Sequence, residues 1–165
     1  MNCESARAIG GAAVEEALAL ARSLVRALAA EPLVPRRPLP PMHVLVPHFE
    51  AQLAHEPVEQ LRALFVDGGQ CIIVEETLWH GTIDEAPFFP REIVHRALEL
   101  GAASLLLVHN HPSGRSEASG FDLKLTHSLV QTCRPLRLHI IDHLIVSRSG
   151  TFSMRTAGLL QRKRS

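Results

Sequence analysis

Ser104-Leu105-Leu106-Leu107-Val108-His109-Asn110-His111-Pro112-Ser113-Gly114 decides how this chain is built and what it holds. Its first five residues are short, bounded and apolar throughout, which suits a central strand buried on both faces. In extended backbone, side chains two apart project to the same side, so His109 and His111 can converge on one ion. Asp122 lies eleven residues beyond His111 and needs only a chain reversal to join them, for which Pro112 and Gly114 are suited. Three protein ligands with an open fourth position are what a catalytic zinc requires. The first reading of the stretch is therefore a metallohydrolase.

A plainer reading stands beside it. Ser119-Gly120-Phe121-Asp122 before a helical pattern is also a capping motif, in which the Ser oxygen accepts an N–H and the Asp favours the helix N-terminus. Capping and ligation are compatible. On the helix predicted over 121–133, closed by Pro135, Asp122 shares a face with Leu125, Leu129 and Cys133. A carboxylate on a buried face is costly without a partner, and a divalent cation is a strong partner.

Outward from that segment, Leu61 to Asp67 and Cys71 to Trp79 read as strands joined around Gly68-Gly69. Arg91 to Leu100 reads as a helix stopped by Gly101, with Ile93, Val94, Ala97 and Leu98 as its apolar residues. Leu138 to Val146 and Thr151 to Met154 read as strands around a turn at 147–150. Mixed strands with helices on their faces predict an α/β or α+β fold, a mixed sheet flanked by helices. Towards the N-terminus, Val14, Leu18, Ala21, Val25 and Leu28 have amphipathic helical spacing. Pro32, Pro35, Pro38, Pro40 and Pro41 follow as a connector that is neither helix nor central strand. A short helix is predicted over 47–54, with Pro47 in its first turn. The boundary falls at the connector: 1–42 as helix and connector, 43–165 as the domain proper.

Composition narrows the class. A chain of 165 residues, 46% hydrophobic and 21% charged, fits one ordinary domain. Formal net charge is 0, which argues against a broad nucleic-acid footprint. Three unclustered cysteines without a C-x-x-C fit a reducing compartment, and the Ala/Leu-rich 14–28 stretch is interrupted by charges, so neither signal peptide nor membrane span is expected. A cytoplasmic protein without a membrane partner is the expectation.

The residues together resemble the RadC-like members of the JAMM (MPN/JAB) metalloprotease superfamily. The His-x-His, seven residues, Ser, two residues, Asp pattern matches as His109, His111, Ser119 and Asp122, with Pro112 in place. The blocks Leu78-Trp79-His80-Gly81-Thr82, Pro90-Arg91-Glu92 and Asp142-His143-Leu144-Ile145-Val146 resemble RadC in particular, over roughly 61–160. Ala118 stands where the family commonly has Pro, Arg115-Ser116-Glu117 replaces a more usual acidic-Pro turn, and no helix-hairpin-helix region is recognisable at the N-terminal end.

The resemblance implies an MPN/JAB, cytidine-deaminase-like domain. It implies Zn²⁺ held by His109, His111 and Asp122, with Ser119 stabilising an oxyanion and a glutamate as general base. That glutamate lies just before the first core strand of the family, which points to Glu59; Glu75 and Glu76 on the second strand are rivals. His143 and His80 read as structural residues rather than ligands. The implied activity is cleavage of an amide bond in a peptide, isopeptide or other substrate, with oligomeric state open. Two alternatives differ in class: a DNA-repair or DNA-processing accessory protein, against which zero net charge counts for direct DNA binding, and a catalytically silent MPN interaction module.

Overall fold

All seven residues of Ser104–Asn110 are buried, and this strand sits at the middle of a five-stranded sheet. In the computed structural model residues 33–81 and 90–160 are described, together with positions 14, 17, 18 and 21. The elements are α1 (Met42–Leu53), β1 (Gln60–Val66), β2 (Ile72–His80), α2 (Pro90–Glu99), β3 (Ser104–Asn110), α3 (Gly120–Cys133), β4 (His139–Ser147) and β5 (Gly150–Ser153). Strand order is β2-β1-β3-β4-β5. Only β3 and β4 run parallel; the other three pairings are antiparallel. The fold is α+β, as the patterning predicts.

Alternation along the strands creates two cores. Leu61, Ala63, Phe65, Leu105, Leu107 and Ile145 face α2 and α3, where Ile93, Ala97, Leu125 and Leu129 cover them. Leu64, Val66, Leu106, Val108, Leu144 and Val146 face Leu45, Phe49 and Leu53 of α1. Each fully buried Leu contributes roughly 1.5–3 kcal/mol relative to exposure, so β3, apolar on both faces, is the seam of the molecule. The parallel β3-α3-β4 crossover then places the segment 111–119 at the C-terminal end of β3, where open α/β sheets bind ligands.

The hairpin β1-β2 turns where Gly68-Gly69 predicts. Asp67 Oδ1 accepts from the amides of Gly69 and Cys71, both at 2.8 Å, and Gln70 takes a φ of 62° to complete the turn. A register shift between Leu61 and Arg62 leaves Leu78 as an extra residue on β2.

The helix predicted over 47–54 instead spans Met42–Leu53, with Pro47 inside it. Proline removes one interior hydrogen bond, but both Pro47 and His43, whose carbonyl is left over, are solvent-exposed, so water can take the place of the missing amide. The Pro-rich connector docks at the free edge of β2: Arg36 N donates to Ile72 O (2.7 Å), Ile72 N to Arg37 O (2.8 Å) and Leu39 N to Gln70 O (2.8 Å). Of the N-terminal stripe, Val14, Leu18 and Ala21 are helical and exposed, while Val25 and Leu28 lie outside the described residues. No helix among the described residues is long and apolar enough to cross a membrane.

Candidate metal centre

Three elements converge at the end of β3. His109 is its penultimate residue and points toward α3; His111 begins the following loop, fixed by its amide to Val146 O (2.8 Å). Asp122 enters from the first turn of α3, where Ser119 forms the helix cap and a capping box. Ser119 Oγ accepts from the Asp122 amide (3.2 Å), and Asp122 Oδ2 accepts from the Ser119 amide (2.7 Å). The cap therefore fixes the carboxylate as well as the helix. The loop is held down from β4-β5: Arg148 donates to Pro112 O (3.0 Å) and Ser149 Oγ to Gly114 O (2.8 Å).

Each predicted histidine approaches a different oxygen of Asp122, and the metal-sized group among the described residues joins His109 and Asp122 with His143 rather than with His111. His109 Nδ1 lies 2.7 Å from Asp122 Oδ1, and His111 Nε2 lies 3.2 Å from Asp122 Oδ2. The two imidazole centroids are 4.8 Å apart and nearly perpendicular. His109, His111 and Asp122 are all buried. Ser119 sits at the exposed side and its hydroxyl donates to Asp122 Oδ2 at 2.5 Å. Burial alone would raise the Asp122 pKa. Hydrogen bonds from His109, His111 and Ser119, with the charge of His109, outweigh it and hold the carboxyl well below the usual range.

Donor counting tests whether a cation fits. His111 Nδ1 donates to Arg115 O (3.1 Å), which leaves Nε2 as a lone pair aimed at a carboxylate oxygen. Two acceptors at that distance repel unless a proton or a metal ion lies between them. Consistently, the Asp122 hydrogen bond raises the pKa of His111 against the effect of burial, with help from the Asp122 charge, the Arg115 contact and Glu59. His109, donating through Nδ1 to Asp122, has a buried Nε2 with no partner. An unsatisfied buried polar atom costs about 1–3 kcal/mol. A divalent cation would relieve such unsatisfied atoms, and His109 and Asp122 offer ligand atoms close enough to share one.

Glu59 is half-buried at the entry to β1, and its carbonyl accepts from the Gly81 amide at 3.0 Å. The β1-β3 ladder pairs Leu61 with His109, and continued by two residues it sets Glu59 opposite His111. Asn110 maintains that continuation: its Oδ1 accepts from the Gln60 amide (2.7 Å) and its Nδ2 donates to Val58 O (3.1 Å). Glu75 and Glu76 point to opposite faces of β2 and are engaged elsewhere. Glu75 pairs with Arg62 at 3.0 Å on the α1 side, and Glu76 with Arg96 of α2 at 2.6 Å. His80, at the end of β2, is exposed.

Sequence reasoning read His143 as a structural residue and not as part of the centre. It is the structural, hydrogen-bonded core residue expected, with Nδ1 2.6 Å from Thr126 Oγ1, yet it also lies against the centre. Side-chain ligand atoms of His109, Asp122 and His143 all fall within 4.8 Å of one another. The available signal was the polar pair Asp142-His143 interrupting the apolar run of β4. The neighbouring Asp142 serves the fold: it accepts from Ser153 Oγ (2.5 Å) and the Arg155 amide (2.9 Å).

Comparison with known proteins agrees with this geometry. Residues 42–159 match the family described as RadC-like JAB domain. A protein of Rhodobacter capsulatus named "UPF0758 protein" is 37% identical over 150 residues, covering 91% of this chain and 70% of that protein. A match over most of the chain, with the cluster at the end of β3 intact, makes this protein a member of the family of RadC-like JAB domains.

Proposed function

We propose that this chain is a zinc-dependent hydrolase that cleaves an amide bond, with His109, His111 and Asp122 as the metal ligands. One observation carries the reading: buried His109, Asp122 and His143 offer ligand atoms within 4.8 Å of one another, with His111 Nε2 3.2 Å from Asp122 Oδ2 at their side. Zn²⁺ bound there would lower the pKa of a water toward neutrality and polarise the scissile carbonyl.

The chain's own residues supply the rest. Glu59, whose charge is felt at His111, is the base in this reading: it takes the proton of the attacking water and returns it to the leaving amine. Asp122 is held ionised at every working pH, so its ligand oxygens need no prior deprotonation. Ser119 presently spends its hydroxyl hydrogen on Asp122 Oδ2. Once a cation draws on that oxygen, the hydroxyl is free to turn toward the substrate and donate to its developing oxyanion. The substrate class is a peptide, isopeptide or other amide. With a formal net charge of 0, direct DNA binding is no part of this reading.

Reconstitution with Zn²⁺ followed by elemental analysis tests it. One equivalent per chain is expected for the native protein, a sharp loss for His111→Ala or Asp122→Asn, and no change for His80→Ala. Zinc well below one equivalent in the folded native chain refutes the reading.

A further inference from the structure

Away from the centre, one apolar helix face has no cover. Val14, Ala17, Leu18 and Ala21 are helical and all exposed, Val14 to 60% and Leu18 to 46%. Their spacing puts them on one side of the helix, yet none of them belongs to either core cluster among the described residues. Isolated helices of about 12–15 residues are marginal in water and persist when their apolar face packs on something. This face therefore calls for a partner surface.

The residue pattern selects that partner. Val14, Leu18, Ala21, Val25 and Leu28 follow one another by alternate steps of four and three, the d-a-d-a-d positions of a heptad repeat. In that frame the two flanks of the stripe differ. Glu15 and Arg22 occupy e positions, whereas Ala17 and Leu24 occupy g positions. Residues at e and g set the orientation of paired helices. In a parallel pair e faces g, so Arg22 would lie against Ala17 and neither charge would meet its opposite. In an antiparallel pair e faces e and g faces g. Glu15 then meets Arg22 of the second copy, twice by symmetry, and Ala17 meets Leu24, small against large. The same alignment sets Leu18 against Ala21 and Val14 against Val25 along the seam.

We propose that this helix pairs antiparallel with the same helix of a second copy of the chain, giving a two-fold dimer. A stripe that complements itself when reversed is the signature of an isologous interface. The dimer is independent of the metal reading. The connector that follows the helix joins the sheet opposite Cys71, in the hairpin at the end of β1 farthest from His109.

Two heptads make a short seam, so association should fall in the micromolar range. Sedimentation equilibrium of the whole chain across that range reads it directly. The average mass should rise with concentration from the 18.1 kDa of one chain toward twice that value. Leu18→Glu, which puts a carboxylate into the seam, should hold the mass at one chain throughout. Glu15→Arg and Arg22→Glu each turn two attractions into two repulsions and should weaken the dimer about tenfold. Combined, they restore opposite charges and should return the native value. A native chain that stays at the mass of one chain overturns the proposal, as does a dimer that Leu18→Glu leaves intact. A dimer lost in Leu18→Glu but indifferent to the charge swaps overturns the antiparallel pairing. The native measurement needs no variant, so it decides the matter even if Leu18→Glu does not fold.

Discussion

Ser119 carries two tasks that a pair of substitutions can separate. As helix cap its oxygen accepts from the Asp122 amide at 3.2 Å, and as donor its hydroxyl reaches Asp122 Oδ2 at 2.5 Å. Ser119→Ala removes both. Loss of a cap costs about 1 kcal/mol, and loss of a hydrogen bond to a charged acceptor costs about 1.5–3 kcal/mol when buried. Ser119 is exposed and Asp122 keeps the Ser119 amide and both histidines, so the second figure belongs at its lower end. A total of about 2 kcal/mol, or a drop of about 4–8 °C in Tm, follows for a chain of this size. Ser119→Asp is the discriminating partner. Asp caps helices as well as Ser does, so a pure capping role predicts near-native stability. A second carboxylate facing Asp122 Oδ2 instead brings a repulsion of up to about 4 kcal/mol at an effective dielectric near 20, before side-chain movement relieves it. Urea and thermal unfolding of chelator-treated protein should therefore rank native above Ser119→Ala, and Ser119→Ala above Ser119→Asp. Native-like stability in Ser119→Asp refutes the argument that the hydroxyl holds the ligand carboxylate.

Glu59→Gln should keep full zinc occupancy and lower turnover by on the order of a hundredfold, whereas Glu75→Gln and Glu76→Gln, whose partners are Arg62 and Arg96, should leave turnover near native; the opposite pattern in a peptidase assay with metal analysis moves the base to β2. Asn110→Ala should cost about 1–3 kcal/mol in urea unfolding by orphaning the Gln60 amide, and should reduce turnover while zinc stays bound, because Glu59 loses its register. Burial lowers the His143 pKa to about 3 from 6.5, so the unfolded chain takes up that proton first. Metal-free stability from this group is complete above about pH 6.5 and falls toward pH 3 by up to about 1.4 kcal/mol per unit. His111, with its raised pKa, contributes with the opposite sign. The difference in urea midpoint between the native chain and His143→Leu across pH 7 to 4.5 isolates the His143 share, and a pH-independent difference refutes it.

Much of this was legible in residue order. The apolar run before His109 marked the central strand because only a strand buried on both faces tolerates four consecutive aliphatic residues there. His-x-His at strand period, and Asp122 one helical step from Leu125 and Leu129, brought the ligand candidates together before any coordinates. Pro47 misled because proline is read as a helix start, while its actual cost depends on whether the orphaned carbonyl meets water, a fact of exposure that sequence does not carry. Glu59 was legible only through resemblance, since its place opposite His111 depends on the β1-β3 register.

His143 shows why the rest stayed hidden. Its nearness to His109 requires that β4 run parallel to β3, and that the shift between Leu105 and Leu106 leave Ile141 as an extra residue so that His143 falls on the α3 face. Local periodicity contains neither fact. A bulge of one residue reverses which side chains face the core, so the same sequence without it would send His143 toward α1 and Leu144 toward the candidate centre. The bulge is itself secured, because Arg155 donates to the carbonyls of Ile140 and Ile141 and Asp142 holds the Arg155 amide at 2.9 Å. The turn after β5, distant from the predicted motif, thus determines which face of β4 reaches the candidate centre.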